Sequence, residues 1–207
     1  MSITICKASN EDAKFLAQMI LQSSRAEKKY GIYDMLFGVK NDKELLNYLE
    51  KLVVTEAKNR CHYSNFLIAS MDSKQVGTLC SYEPRISTDE VFKNSLNEMS
   101  FDGDITEYEE IREICSFEQN NRTLIFDFME ELEGFVDVGV LKSLMQKSLL
   151  TARLKGYRIA QTIVEIGSLE IILLYKKLGF KEVKQNECEI YKEKFGRHGL
   201  TLLEIEF

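Results

Sequence analysis

Proline occurs once, at Pro84, and tryptophan is absent. A single proline excludes a Pro-rich linker or a collagen-like chain. The two histidines, His62 and His198, are too few to build a His-based metal site by themselves. Basic charge is also short: 27 Lys+Arg stand against 33 Asp+Glu, a net charge of −6 over 207 residues. A nucleic-acid binder normally presents a basic face, so that class is set aside. No apolar run approaches the roughly 18–20 residues needed to span a bilayer. The start MSITICKAS lacks the basic and apolar regions of a signal peptide, so a cytoplasmic protein with no membrane partner is expected.

Five cysteines are spread widely, at Cys6, Cys61, Cys80, Cys115 and Cys188, and no pair has CxxC spacing. Neither a zinc site nor a redox motif is suggested, and reduced, mostly buried thiols are expected. What the chain does have is 44% hydrophobic residues, enough for a sizeable core. Disorder is excluded by the same abundance.

Ile3 to Lys7 alternates apolar and polar residues and reads as a strand. Ser9 can cap a helix that runs to about Ser23, with Ala13, Leu16, Met19 and Ile20 on one face. Gly31 to Asn41 reads as a loop before a helix from Asp42 to about Ala57. Phe66–Ser70 and Gln75–Tyr82 read as a hairpin, with turn chemistry between them. The acidic stretch from Arg85 to Asn121 reads as two helices, around Asp89–Met99 and Ile105–Ser116. Its simplest role is a pair of solvated helix faces; the functional alternative is a lid that attracts a cationic amine.

The pattern then changes. Thr123 to Met129 is mostly apolar, as expected for a central strand covered on both faces. Leu141, Leu144, Met145, Ser148, Leu149 and Ala152 keep helical spacing, and Gly156 suits the helix end. Ile159–Ile166 reads as a strand. Ser168 can cap a helix through Lys177, ended by Gly179. Lys181–Glu187 and Thr201–Phe207 read as closing strands.

The segment Thr123 to Phe180 ends in Leu174-Tyr175-Lys176-Lys177-Leu178-Gly179-Phe180. That ending resembles the "lYeklGF" motif of the GNAT N-acyltransferase superfamily. Leu149-Leu150, Ala152 and Gly156-Tyr157 are similar to its LL…A…GY helix end. By order of elements the resemblance spans most of the chain; by motif it spans Thr123–Phe180. It implies one α/β (α+β) domain over residues 1–207, with a helical acidic insertion at about 85–121. The sheet would be mixed, mostly antiparallel and twisted, with a splayed central parallel pair and flanking helices.

The resemblance also implies acetyl-CoA as cosubstrate and no metal. The pantetheine would lie along Met129, Glu131 and Leu132, whose backbone N–H groups would also serve the developing oxyanion. The pyrophosphate would sit on Val136, Asp137, Val138, Gly139, Val140 and Leu141, at a helix N-terminus where donors and dipole favour an anion. Of the family's Q/R-x-x-G-x-G/A loop only Gly139 is present; Val136 and Leu141 replace the amide or basic residue and the second small one. Glu130, Glu131, Glu133 and Asp137 surround the loop, with Lys142 as the cation of the first helical turn. Each like-charge pair at about 6 Å costs roughly 0.7 kcal/mol in bulk water.

Tyr175 matches the family's tyrosine near the thioester sulfur, a general acid for the departing thiolate; taken alone, a core tyrosine is the simpler reading. Ser168 stands where the family has Asn and would cap the helix, contact the cofactor, or both. Glu130 and Glu131 are candidate bases, since a carboxyl beside an apolar cleft titrates nearer neutrality; the plain alternative is a solvated loop carboxylate. The function implied is acetyl transfer by direct attack of a primary amine, on a small molecule or a peptide. A homodimer is one arrangement the fold allows. The rival is a non-catalytic binding or regulatory protein with weakened CoA binding, and a third reading is an acyltransferase with a different donor.

Overall fold

The computed structural model describes residues 2–120, 122–136 and 139–207. Its elements are β1 (Ile3–Lys7), α1 (Ala13–Arg25), α2 (Ile32–Phe37), α3 (Asp42–Leu52), β2 (Phe66–Met71), β3 (Lys74–Tyr82), α4 (Asp89–Glu98) and α5 (Thr106–Cys115). These are followed by β4 (Thr123–Glu131), α6 (Val140–Leu154), β5 (Ile159–Glu165), α7 (Leu169–Lys177), β6 (Lys181–Glu187), α8 (Glu189–Phe195) and β7 (Gly199–Glu206). The strands form one sheet in the order β1-β2-β3-β4-β5-β7-β6. Every neighbouring pair is antiparallel except β4 and β5. This is the mixed, mostly antiparallel sheet with one parallel pair that the resemblance implies.

Each face of the sheet carries its own core. On one side α1, α2 and α3 bury Leu16, Ile20, Leu36, Leu45 and Leu49 against Phe66, Ile68, Ile125 and Phe128. On the other, α6 and α7 bury Leu144, Met145, Ile172 and Tyr175 against Leu79, Leu124, Phe126 and Ala160. Each large side chain taken fully out of water contributes about 1.5–3 kcal/mol, so the two layers fix the sheet between them. The helix ends follow the expected chemistry. Asn41 caps α3 by accepting from the Glu44 N–H, and Thr88 caps α4 by accepting from Val91. Gly179, at φ 103°, turns the chain after α7 so that the Phe180 N–H reaches back to the Tyr175 carbonyl.

Three features depart from the sequence reading. The expected loop 31–41 contains α2, because Asp34 bonds the Gly31 N–H and turns Tyr33, Leu36 and Phe37 inward. Helix α3 stops at Leu52 rather than Ala57, since Thr55 and Asn59 take the Leu52 carbonyl with their side chains. A further helix, α8, separates the two closing strands.

The cysteines also need correction. Cys115, which ends α5, is disulfide-bonded to Cys188 at the start of α8. Cys61 and Cys80 are buried free thiols and Cys6 is an exposed one. The disulfide removes the argument from reduced thiols to a cytoplasmic location. No helix among the described residues is long and apolar enough to cross a membrane.

Candidate active site

Strands β4 and β5 are paired over three residues only, Thr123 with Ile159, Leu124 with Ala160 and Ile125 with Gln161. Beyond that point β5 stays bound to β7 through Glu165, and β4 stays bound to β3. The two parallel strands therefore part, and a cavity of about 610 Å³ opens between them. Its walls come from β4, the second half of β5, the end of α1 and helix α7.

A bulge in β4 shapes one wall. Thr78 faces Glu130 while Cys80 faces Asp127, so β4 carries one extra residue against β3. Phe128 absorbs it at φ 45°, an uncommon conformation for a bulky residue. Buried Thr78 donates from Oγ1 to the Phe128 carbonyl at 3.0 Å. The Phe128 N–H donates to Asp127 Oδ1 at 2.8 Å. The Phe128 ring packs against Phe66 and Tyr33, with centroids 5.9 and 6.3 Å away. These contacts hold the local strain and aim Asp127, Met129 and Glu130 at the cavity.

Glu130 lines the cavity with its carboxyl held by Gln22 of α1, whose Nε2 donates to Oε2 at 2.8 Å. Burial pushes this carboxyl up to about 7, against the lowering effect of Gln22 and Ser23; nearby Glu131 and Glu27 push the same way as burial. The reading of a solvated loop carboxylate is thereby corrected for Glu130. So is part of the expected repulsion toward a phosphate, because near neutral pH this group is only partly charged. Glu131 lines the same cavity, half-buried at the end of β4, and its carbonyl accepts from Gln22 at 3.1 Å.

Tyr175 of α7 reaches the cavity from the opposite wall. Its ring meets Phe180 edge-on at 5.1 Å, and its hydroxyl lies 3.4 Å from Thr162 Oγ1 of β5. Burial raises this phenol above its ordinary value, and the charges of Asp127 and Glu130 add to the rise. The proton is thus retained at neutral pH. Tyr175 belongs both to the α6–α7 core and to the cavity wall.

Ser168 occupies the N-cap position of α7 but makes no side-chain cap bond. Its Oγ is buried without a hydrogen-bond partner, and the residue lines the cavity. A buried hydroxyl left unpaired costs about 1–3 kcal/mol, so this one is suited to a ligand.

The other expected cofactor residues divide. Met129, Val136 and Leu141 line the cavity. Val140, the first residue of α6, is buried in the core, and Gly139 is the N-cap of α6 at φ 88°, in open surroundings. The unpaired N–H groups of the first helical turn follow Gly139. Leu132 is a correction, because its N–H donates across to the Val76 carbonyl at 2.8 Å and is spent on the sheet. Asp137 and Val138 lie outside the described residues.

Several cavity residues escaped the sequence reading. Tyr33, Arg60, Tyr82, Tyr108, Arg112 and Asp127 line its far end. Asp127 had a visible signal: one acid within an otherwise apolar strand. Arg60 had none, lying in an irregular segment before β2. Helix α5 contributes Tyr108 and Arg112, so the acidic stretch walls the cavity as well as facing solvent. At the open end of β5, buried Glu165 pairs with Lys28 and accepts from the Tyr191 hydroxyl at 2.8 Å. His62 is structural: its Nδ1 accepts from the Ser64 N–H, and burial lowers its ring below the ordinary value.

A mixed sheet split at its parallel pair, with a helix N-terminus and a buried tyrosine beside the split, is the fold of the GNAT N-acetyltransferases, and this chain has that fold. An N-acetyltransferase from Staphylococcus aureus Mu50 superposes over 98% of this chain and 100% of its own, with a TM-score of 0.68 at 17% identity. A second crystal structure of an acetyltransferase matches at a TM-score of 0.67 and 18% identity, over 98% of each chain. A PaiA N-acetyltransferase from Thermoplasma acidophilum, solved in complex with coenzyme A, matches over 100% of both chains at a TM-score of 0.55 and 13% identity. No protein-family model and no curated protein matches the chain.

Proposed function

We propose that this protein is an N-acetyltransferase that moves an acetyl group from acetyl-CoA to a primary amine by direct attack. One observation carries the reading: a near-neutral carboxyl, Glu130, and a protonated phenol, Tyr175, line the same cleft between the parted strands. The coenzyme A of the Thermoplasma structure supports the donor class. The residues here suit such a donor on three counts. The strands leave a cleft, the α6 N-terminus offers backbone donors behind Gly139, and Ser168 Oγ is a buried hydroxyl lacking a partner.

When bound, acetyl-CoA supplies an activated thioester carbonyl. Glu130 takes a proton from the attacking nitrogen, a role that requires its ionised form. Gln22 fixes the carboxyl by donating to Oε2. Tyr175 holds a proton at Oη for the departing sulfur. Thr162 can donate to that oxygen, so the phenolic hydrogen remains available. Burial within the parted sheet limits water near both groups.

The experiment is a thiol-release assay with acetyl-CoA and a panel of primary amines, on the wild type, Tyr175→Phe and Glu130→Gln. Tyr175→Phe is expected to lose about 10²-fold in kcat. Unchanged turnover in both variants would remove the assigned roles. The non-catalytic reading keeps one favouring observation, the hydrophobic Val136 and Leu141 at the expected pyrophosphate loop; acetyl-CoA binding without thiol release from any amine would favour it.

A further inference from the structure

The far end of the cavity has a chemistry of its own. Arg60 is 4% exposed and lines the cavity. It packs over the Phe92 ring at 4.9 Å and pairs with Asp89 through one terminal nitrogen. Arg112 of α5 approaches the same Asp89 oxygen at 3.5 Å. Asp89 lies at the rim, its side chain 65% exposed. One carboxylate at the rim thus serves two guanidinium groups.

The inner sides of both arginines lack acceptors. Arg60 Nε and Arg112 Nε are buried and have no hydrogen-bond partner. An unpaired guanidinium N–H is expensive to bury, more so than a neutral donor. Asp127 lines the cavity with both arginines and interacts electrostatically with them. Its Oδ1 already accepts from the Phe128 N–H, and burial raises its pKa despite the two arginines. Other cations that line the cavity are matched: Lys28 pairs with Glu165, and Arg25 is held by Asp34 and Asp42. The chamber around Arg60 and Arg112 therefore keeps two buried guanidinium donors without an acceptor. Its remaining walls are the aromatic side chains of Tyr33, Tyr82 and Tyr108.

We infer that the acceptor is a small aminocarboxylate, a free amino acid, whose carboxylate is held by Arg60 and Arg112 while its amine points along the cavity toward Glu130. A planar carboxylate suits guanidinium donors, and it supplies acceptors for the unpaired Nε groups. Asp127 and Glu130 both come from β4 and line the cavity, and their carboxyl groups favour an arriving ammonium. The inference rests on the acetyltransferase reading and specifies its acceptor. The reaction balances as follows. The amine nitrogen forms a bond to the acetyl carbon, and the carbon–sulfur bond breaks. The arriving ammonium first gives one proton to Glu130, which releases it to solvent. After attack the second amine proton passes to Glu130, and sulfur takes a proton from Tyr175, which is reprotonated from solvent. The products are an N-acetylamino acid and a free thiol.

The test compares the twenty L-amino acids, each beside its α-carboxamide, in the thiol-release assay. The carboxamide has the less basic amine and the larger neutral fraction at neutral pH, so a preference for the acid must come from recognition. At least one free amino acid is expected to exceed its carboxamide tenfold or more in kcat/KM. Arg112→Gln, at a partly exposed position, is expected to abolish that preference through KM. Equal or better turnover of every carboxamide would overturn the inference and leave the acetyltransferase reading intact. Calorimetric binding of the same acids and carboxamides, without acetyl-CoA, separates the two readings. An acid bound in preference to its carboxamide, and lost in Arg112→Gln, supports the chamber even where no thiol is released. Binding of neither, in a wild type that releases no thiol, overturns both.

Discussion

The Glu130 carboxyl is buried at the edge of the cleft, and burial works against its charge. Its folded-state pKa of about 7 lies above the ordinary 4.5. A raised carboxyl favours folding most fully below about pH 4.5, and that contribution is lost as pH rises through 7. Glu130→Gln is therefore expected to stabilise the protein at pH 8, by on the order of 2 kcal/mol, while leaving stability near pH 4 little changed. Thermal unfolding at the two pH values checks this. The same substitution is expected to abolish turnover, since glutamine cannot take a proton. In the wild type, kcat/KM is expected to climb through a pKa near 7 as the base ionises; a flat profile from pH 6 to 8.5 would contradict the role. The sequence showed Glu130 as a carboxylate beside an apolar run. Gln22, 108 residues earlier, is what fixes it, and no local pattern predicts that contact.

At the scale of elements, the bulge in β4 and the disulfide carry separable consequences. Thr78 is fully buried and satisfies the carbonyl of a strained residue. Thr78→Val keeps the shape and removes the bond, at an expected cost of about 1–3 kcal/mol. Because Glu130 lies two residues beyond Phe128, kcat is expected to fall as well. Denaturant unfolding and the thiol assay read the two effects. The Cys115–Cys188 disulfide links residues 73 apart and ties α5, which carries Tyr108 and Arg112, to the start of α8. In the chain-entropy account, closing a loop of that length contributes about 4 kcal/mol. Replacing both cysteines by serine is expected to lower the unfolding midpoint, and to raise KM for the acceptor more than for acetyl-CoA. Equal stability with and without reductant would show that the link contributes little.

For the molecule as a whole, the succession of strands and helices was legible because periodicity, caps and turn residues agreed. The strand at Thr123, the helix ended by Gly156 and the turn at Gly179 were visible in this way. Helix α2 was missed because its stability comes from Asp34 and from burial of Tyr33, Leu36 and Phe37, which are tertiary effects. The disulfide was missed because spacing says nothing of two cysteines 73 residues apart. Tyr175, Glu130 and Ser168 could be placed beside the cleft from the sequence because they share one motif-bearing stretch. Tyr33, Arg60, Tyr82, Tyr108 and Arg112 could not, because they come from four separate segments that only the fold brings together.

The central claim is that the parted strands hold acetyl-CoA despite hydrophobic Val136 and Leu141 and the acidic residues around the loop. Thermal unfolding with and without millimolar acetyl-CoA tests it most directly, with desulfo-CoA and ATP as controls. A ligand at 100 times its Kd stabilises by about 2.7 kcal/mol, a shift of several degrees for a chain of this size. The account predicts such a shift with acetyl-CoA, a smaller one with desulfo-CoA and none with ATP. No shift with acetyl-CoA at any accessible concentration, or an equal shift with ATP, would contradict it.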